Sequence, residues 1–141
     1  MKRKLFLVIL VLILAIFLSG CGGIVLPAID EAKIKSVMNE YCLTLNNQDW
    51  SKAKSLCVYG STMYNELCYM EAIFINAYLY CNIITINVAI DIQNVSINGN
   101  FASVSAYTNG LITGCGDEYY DFGEGESTFT LQKVGNNWKI Y

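Results

Sequence analysis

The chain of 141 residues contains no histidine. That absence removes the usual general base near neutral pH, the usual partner that activates a serine or cysteine nucleophile, and the commonest zinc ligand. Proline occurs once, at Pro27, so almost nothing interrupts regular structure by ring constraint. Basic residues are scarce: nine against 12 acidic ones. Nucleic-acid binding rests on neutralised phosphates, so this balance argues against it, and against a basic patch for anionic lipids. No Cys-x-x-Cys occurs among the six cysteines, so neither a zinc ribbon nor a thioredoxin-like site is indicated. Phosphate-binding glycine loops, serine-nucleophile elbows and dinucleotide fingerprints are missing too. No cofactor and no metal are therefore expected, and no catalytic residue is assigned.

Only one long apolar run exists, from Leu5 to Leu18. Its 14 residues fall short of the roughly 20 that a membrane span needs. A basic tip (Lys2, Arg3, Lys4) precedes it and Leu18-Ser19-Gly20-Cys21 follows. Charge, apolar core, small residues and cysteine in this order resemble a bacterial lipoprotein signal with its lipobox. The resemblance implies cleavage before Cys21 and a thioether-linked diacylglycerol on it, with palmitate-type acyl chains in the membrane. The expected division is a signal peptide over 1–20, a lipidated tether over 21–29 and a single domain over 30–141. The domain would sit outside the cytoplasm in the cell envelope, its membrane partner reached through the Cys21 lipid. Six of the basic residues would remain beside all 12 acids, a net charge of −6. Outside the cytoplasm Cys42, Cys57, Cys68, Cys81 and Cys115 are candidates for disulfides, or for small buried hydrophobes. Their spacing fixes no pairing.

From Asp30 the apolar period is helical: Ile34, Val37, Met38, Tyr41, Cys42 and Leu45 form one stripe. Asn46-Asn47-Gln48 ends it. Asp49 caps a short second helix carrying Trp50, Ala53, Leu56 and Cys57 inward. Ser61 caps a third, roughly 62 to 78, with Leu67, Met70, Phe74 and Ala77 on one side. After Tyr80 the period becomes two. Ile84, Ile86, Val88, Ile90 and Ile92 alternate with polar residues, then the phase slips to Val95 and Ile97. A strand cannot change faces without an extra residue, so a bulge is expected near Gln93-Asn94. Asn98-Gly99-Asn100 turns the chain, and a two-residue loop puts Ala102, Val104 and Ala106 on the matching face. Residues 109 to 126, with five glycines, read as irregular, with a short edge pairing over 118–122. A last hairpin turns at Gly135-Asn136 and returns through Trp138 and Ile140.

Helices followed by a meander ending in "FTLQKVGNNWKIY" resemble the nuclear transport factor-like superfold, which includes ketosteroid isomerase, polyketide-cyclase-like proteins and many bacterial lipoproteins. The resemblance rests on the opening helix running into "NNQDW" and on Phe129-x-Leu131-x-Lys133 … Trp138-Lys139-Ile140. It implies an α+β fold, with N-terminal helices on a curved antiparallel β-sheet, a cone-shaped cavity and frequently a homodimer through the sheet.

Isomerase and dehydratase members use an acid in that cavity, which desolvation can tune into a base. Asp91 is the candidate, with Tyr41 or Tyr107 as hydrogen-bond donors and Glu71 as a second acid. Periodicity places Asp91 on the polar side of its strand, facing solvent. Asp117, Glu118, Asp121, Glu124 and Glu126 crowd one segment without EF-hand spacing, and read as a solvated acidic loop. Asn94-Val95-Ser96 matches a glycosylation acceptor by coincidence. Tyr64, Tyr69, Tyr78 and Tyr80, with Tyr119, Tyr120 and Phe122, suit core packing or an aromatic-lined cavity. The leading expectation is a non-catalytic module holding a small apolar ligand or serving as an accessory protein. The alternatives are an isomerase- or dehydratase-like enzyme and a structural protein dimerising through its sheet.

Overall fold

The computed structural model describes residues 25–79, 84–114 and 119–141. The chain divides into two compact units at Asp30/Glu31, and the second, Glu31–Tyr141, holds the core. Three helices lead: α1 (Val25–Asn46), α2 (Trp50–Ser55) and α3 (Thr62–Tyr78). Four antiparallel strands follow in sequence order: β1 (Thr85–Asn98), β2 (Phe101–Thr113), β3 (Tyr119–Val134) and β4 (Asn137–Ile140). None of the described helices is long and apolar enough to cross a membrane.

The capping chemistry is as the residues dictate. Asp49 accepts a hydrogen bond from the Lys52 amide at 3.0 Å, and the Ser61 hydroxyl accepts one from the Tyr64 amide at 3.2 Å. Each satisfies a helix-start N–H that has no intrahelical partner. Ile34, Met38, Tyr41, Cys42 and Leu45 of α1 are buried, as are Leu67 and Phe74 of α3. Within the run Ile73-Phe74-Ile75 only Phe74 turns inward; both isoleucines are exposed.

Inward strand residues are Ile84, Ile86, Val88, Ile90 and Ile92, then Val95 and Ile97 beyond a register shift between Ile92 and Asn94. That bulge restores the apolar phase, so both halves of β1 face the helices. Asn98 pairs with Phe101 across a two-residue loop in which Gly99 has φ +59°. Gly135, at φ +62°, opens the second such loop, between Val134 and Asn137. A residue with a Cβ avoids that backbone region, which explains glycine at both positions.

Both sheet edges are covered in part. The free edge of β4 meets the segment after α2: Val58 donates to the Ile140 carbonyl at 2.7 Å, and Ile140 donates to the Leu56 carbonyl at 2.9 Å. On β1, Asn46 works as a one-residue strand. Its Nδ2 donates to the Val88 carbonyl at 3.0 Å and its Oδ1 accepts from the Val88 amide at 2.6 Å. Gln48, at φ 57°, donates from Nε2 to the Ile84 carbonyl at 2.6 Å and accepts from the Tyr78 hydroxyl. The polar end of α1 thereby fastens the helices to the first strand, where unpaired backbone groups would otherwise be left part-buried.

The glycine-rich stretch departs from expectation. Most of residues 109–126 is strand, with β2 running to Thr113 and β3 starting at Tyr119. Glu124 and Glu126 face outward while Gly125 and Ser127 face inward. The period of two is carried there by small inward residues, Gly125 and Ser127. A second register shift lies between Gly110 and Leu111, where β3 carries an extra residue.

Candidate functional site

Apolar side chains fill the inner face of the sheet in two groups. One joins Ile34, Met38, Tyr41, Leu45, Leu67, Val104, Leu131, Trp138 and Ile140. The other is Phe74 with Ile84 and Ile86, with Ile112 and Ala77 against it. Trp50 and Val88 touch both. Beside this seam the strands carry small residues. Across the sheet run three rows: Ile92–Ala106–Ser127, Ile90–Thr108–Gly125 and Val88–Gly110–Gly123.

Two hydroxyls occupy this small-residue patch. Thr108 Oγ1 donates to the Gly125 carbonyl at 3.3 Å and lies 2.8 Å from Ser127 Oγ. A Cβ added at Gly125 would meet no atom within 4 Å, although the residue is half-buried. The backbone there does not need glycine for its conformation, since its φ is not positive. Small residues thus leave the inner face recessed at Gly125, with aliphatic side chains of β1 beside it and the Thr108–Ser127 hydroxyl pair next to it. No described inward position in these rows is ionisable. Such a lining suits an uncharged ligand held by burial and oriented by a few polar atoms.

The ionisable candidates lie elsewhere. Asp91 is on the outer face, where Gln93 Nε2 donates to its Oδ2 at 2.6 Å. Tyr107, beside it in the register, is also outward. Glu71 forms a half-exposed ion pair with Lys54 at 2.7 Å, and that contact raises the lysine's pKa. Tyr41 is buried, but its hydroxyl donates to Met63 Sδ at 3.2 Å rather than to a carboxylate. Desolvation, reinforced by the neighbouring Cys57 and Cys42, raises its pKa far above that of an exposed phenol. No described acid touches the recess in company with a tyrosine hydroxyl.

Cys42, Cys57 and Cys68 are free thiols. Burial pushes Cys42 up to about 11, and Cys57 up to about 12 against a small opposing effect of Lys139. Both are protonated, inert core residues at neutral pH. Cys21, Cys81 and Cys115 lie outside the described residues, as do Tyr80, Asp117 and Glu118; the side chains of Tyr119, Tyr120, Asp121 and Phe122 do too. Glu124 and Glu126 are exposed on the outer face, as is Asn94 at the bulge. Among the described residues no cluster of His, Cys, Asp or Glu is placed to hold a metal ion. Tyr64 meets Tyr59 in a tilted ring contact at 5.0 Å and packs against the main core cluster. The outer face of β1 and β2 is mainly serine, threonine and asparagine.

No protein-family model matches the chain, and no curated protein does. Solved structures do. A protein of unknown function from Mycobacterium tuberculosis, Rv3472, is 17% identical over 86% of this chain and 73% of its own, with a TM-score of 0.64. A conserved protein from Planctomyces limnophilus is 14% identical over 80% and 91%, with a TM-score of 0.63. A candidate dehydratase of the NTF2-like family from Streptomyces avermitilis is 17% identical over 82% and 94%, with a TM-score of 0.57. The fold is the nuclear transport factor-like α+β cone. At these identities the likeness carries architecture alone. Within that cone, the recess at Thr108, Gly125 and Ser127 is the feature that inspection of single residues missed. Sequence offered one signal for it: three small residues, Gly123, Gly125 and Ser127, at alternate positions between acids.

Proposed function

We propose that the chain is an extracytoplasmic lipoprotein, anchored through Cys21, whose cone holds a small uncharged ligand without transforming it. The observation that carries the binding part is the half-buried opening at Gly125, lined by hydroxyls and aliphatic groups and by no described acid or base. The anchoring part rests on the basic tip, the apolar run and Leu18-Ser19-Gly20-Cys21. Two acyl chains on one cysteine hold firmly where one would hold marginally, at about 0.8 kcal/mol per buried methylene.

The candidate dehydratase among the similar structures raises an enzymatic reading. That reading needs a carboxylate desolvated in the recess, and Asp91 and Glu71 are occupied outside it. Dimerisation through the sheet has weaker support, since on an outer face dominated by serine, threonine and asparagine the large apolar residues of β2 are limited to Phe101, Tyr107 and Leu111.

The anchor is tested by detergent partitioning of the wild type and Cys21→Ser. The wild type should enter the detergent phase as a cleaved product. The variant should remain an unlipidated precursor with its first 20 residues attached. A variant that matures and partitions like the wild type would refute the anchor.

A further inference from the structure

The outer side of α3 changes character half-way along. Thr62, Asn65 and Glu66 make its first two turns polar. Beyond them Tyr69, Ala72, Ile73, Asn76 and Leu79 recur at spacings of three and four, so they share one outward stripe, with Ile75 beside it. Leu67 and Phe74, on the opposite side, are buried in the core. Tyr69 is 70% exposed, Ile75 59% and Leu79 74%. The one charged group on these turns, Glu71, is paired with Lys54 at 2.7 Å. A helix whose last turns are apolar on both sides leaves one of them in water, which is unfavourable until something covers it.

A lipid on Cys21 would bring a bilayer within reach. Between that cysteine and Glu31 lie four residues up to the start of α1 and six within it, a reach of at most about 23 Å even with the first four fully extended. A compact unit of 111 residues has a radius of gyration of about 13 Å, so Glu31–Tyr141 has no room to stand clear of the membrane. One of its faces must then meet lipid, and the α3 stripe is apolar and carries no charge. The exposed apolar residues of β2 are mixed with carboxylates: Tyr107 sits between Asp91 and Glu126 in the register. Burying those acids against lipid is heavily disfavoured. A second copy fits the stripe less well, since a stable protein interface uses about 20–30 residues a side.

We propose that this stripe of α3 rests on the membrane that holds the Cys21 lipid, with Ile73, Ile75 and Leu79 at the acyl boundary and the Tyr69 ring at headgroup level, where amphipathic aromatics concentrate. This rests on the anchored reading above and adds which side of the domain meets the lipid. The partner is a neutral lipid surface, because no basic residue lies on the stripe to select anionic headgroups.

The test uses the full mature lipoprotein at one chain per phosphatidylcholine nanodisc, with a nitroxide on the lipid acyl chain close to the headgroup. Methyl signals of Ile73, Ile75 and Leu79 should be lost, while those of Leu111 and Val134, exposed on the sheet, should persist. The variant Ile73→Ser/Ile75→Ser/Leu79→Ser changes exposed side chains alone. It should co-migrate with the discs, keep the wild-type melting temperature, and show the Ala72 methyl signal that wild-type discs erase. If that variant unfolds, Leu79→Ser, expected to restore part of the Ala72 signal, replaces it. Persistence of the three α3 methyl signals in a wild type that co-migrates with the discs, or equal loss at Leu111 and Val134, overturns the docking and leaves the anchor intact. A wild type that does not co-migrate with the discs overturns both. Loss of the α3 signals without nitroxide, in discs holding two chains and not in discs holding one, assigns the stripe to a second copy and overturns the docking as well.

Discussion

Trp138 is the residue whose loss the fold should feel most. It is 2% exposed, and its cluster includes Leu131 and Ile140 from the sheet and Ile34, Met38 and Leu67 from the helices. The Lys133 ammonium lies 5.6 Å from its ring centre, a cation–π contact across β3 and β4. Trp138→Ala removes the indole from a site bounded by both layers, so collapse of the cavity is limited. The expected loss is about 3–5 kcal/mol, the range for large aromatic truncations in a core. For a unit of 111 residues (31–141), at about 4 °C per kcal/mol, the melting temperature should fall by about 12–20 °C. Trp138→Phe separates volume from polarity. The indole Nε1 is buried and has no hydrogen-bond partner among the described residues, so phenylalanine forfeits volume but no polar contact. Its loss should be smaller, about 1–2 kcal/mol. Urea unfolding followed by far-UV circular dichroism gives both values. A shift under about 2 °C for Trp138→Ala would show that the tryptophan does not join the two layers.

Three further outcomes follow from the same geometry. Asn46→Ala strips the Val88 amide and carbonyl of their partner on the β1 edge, at a cost of about 1–3 kcal/mol, and hydrogen exchange at Val88 should quicken selectively. The folded-state pKa values of Cys42 and Cys57 lie above their unfolded values. Their contribution is therefore fully present below pH 9, and stability should fall as pH rises from about 9 towards 11 or 12. Cys57→Ala should flatten that decline, and a thiol reagent at pH 8 should label Cys68 before the two buried thiols. Glu71→Gln breaks a half-exposed ion pair with Lys54 and should cost under about 1 kcal/mol, with the difference shrinking in high salt.

Helices and the first hairpin were legible because large side chains mark the period. The α1 stripe, the caps at Asp49 and Ser61, the bulge at Ile92/Asn94 and the turn at Gly99-Asn100 all stand where spacing places them. Asp91 faces solvent, as its phase indicates. The β3 strand was hidden for the opposite reason. Its inward positions at Gly125 and Ser127 are small, so hydropathy carries no alternation there, and glycine reads as a break. The recess was hidden for the same cause, since an opening is defined by side chains that are missing. Nor does any local pattern announce that Thr108 and Ser127 meet; 19 residues separate them in the chain, and only the β2–β3 register brings their hydroxyls to 2.8 Å.

Backbone amide shifts of the full chain, recorded while 2-naphthol, a small uncharged probe, is added, test the central claim most directly. The account predicts that the largest changes fall on Thr108, Gly125 and Ser127, with smaller ones on Ile90 and Ala106. Changes centred instead on the exposed side of α3, at Tyr69, Ile73 and Leu79, with the three recess amides unmoved, would contradict it.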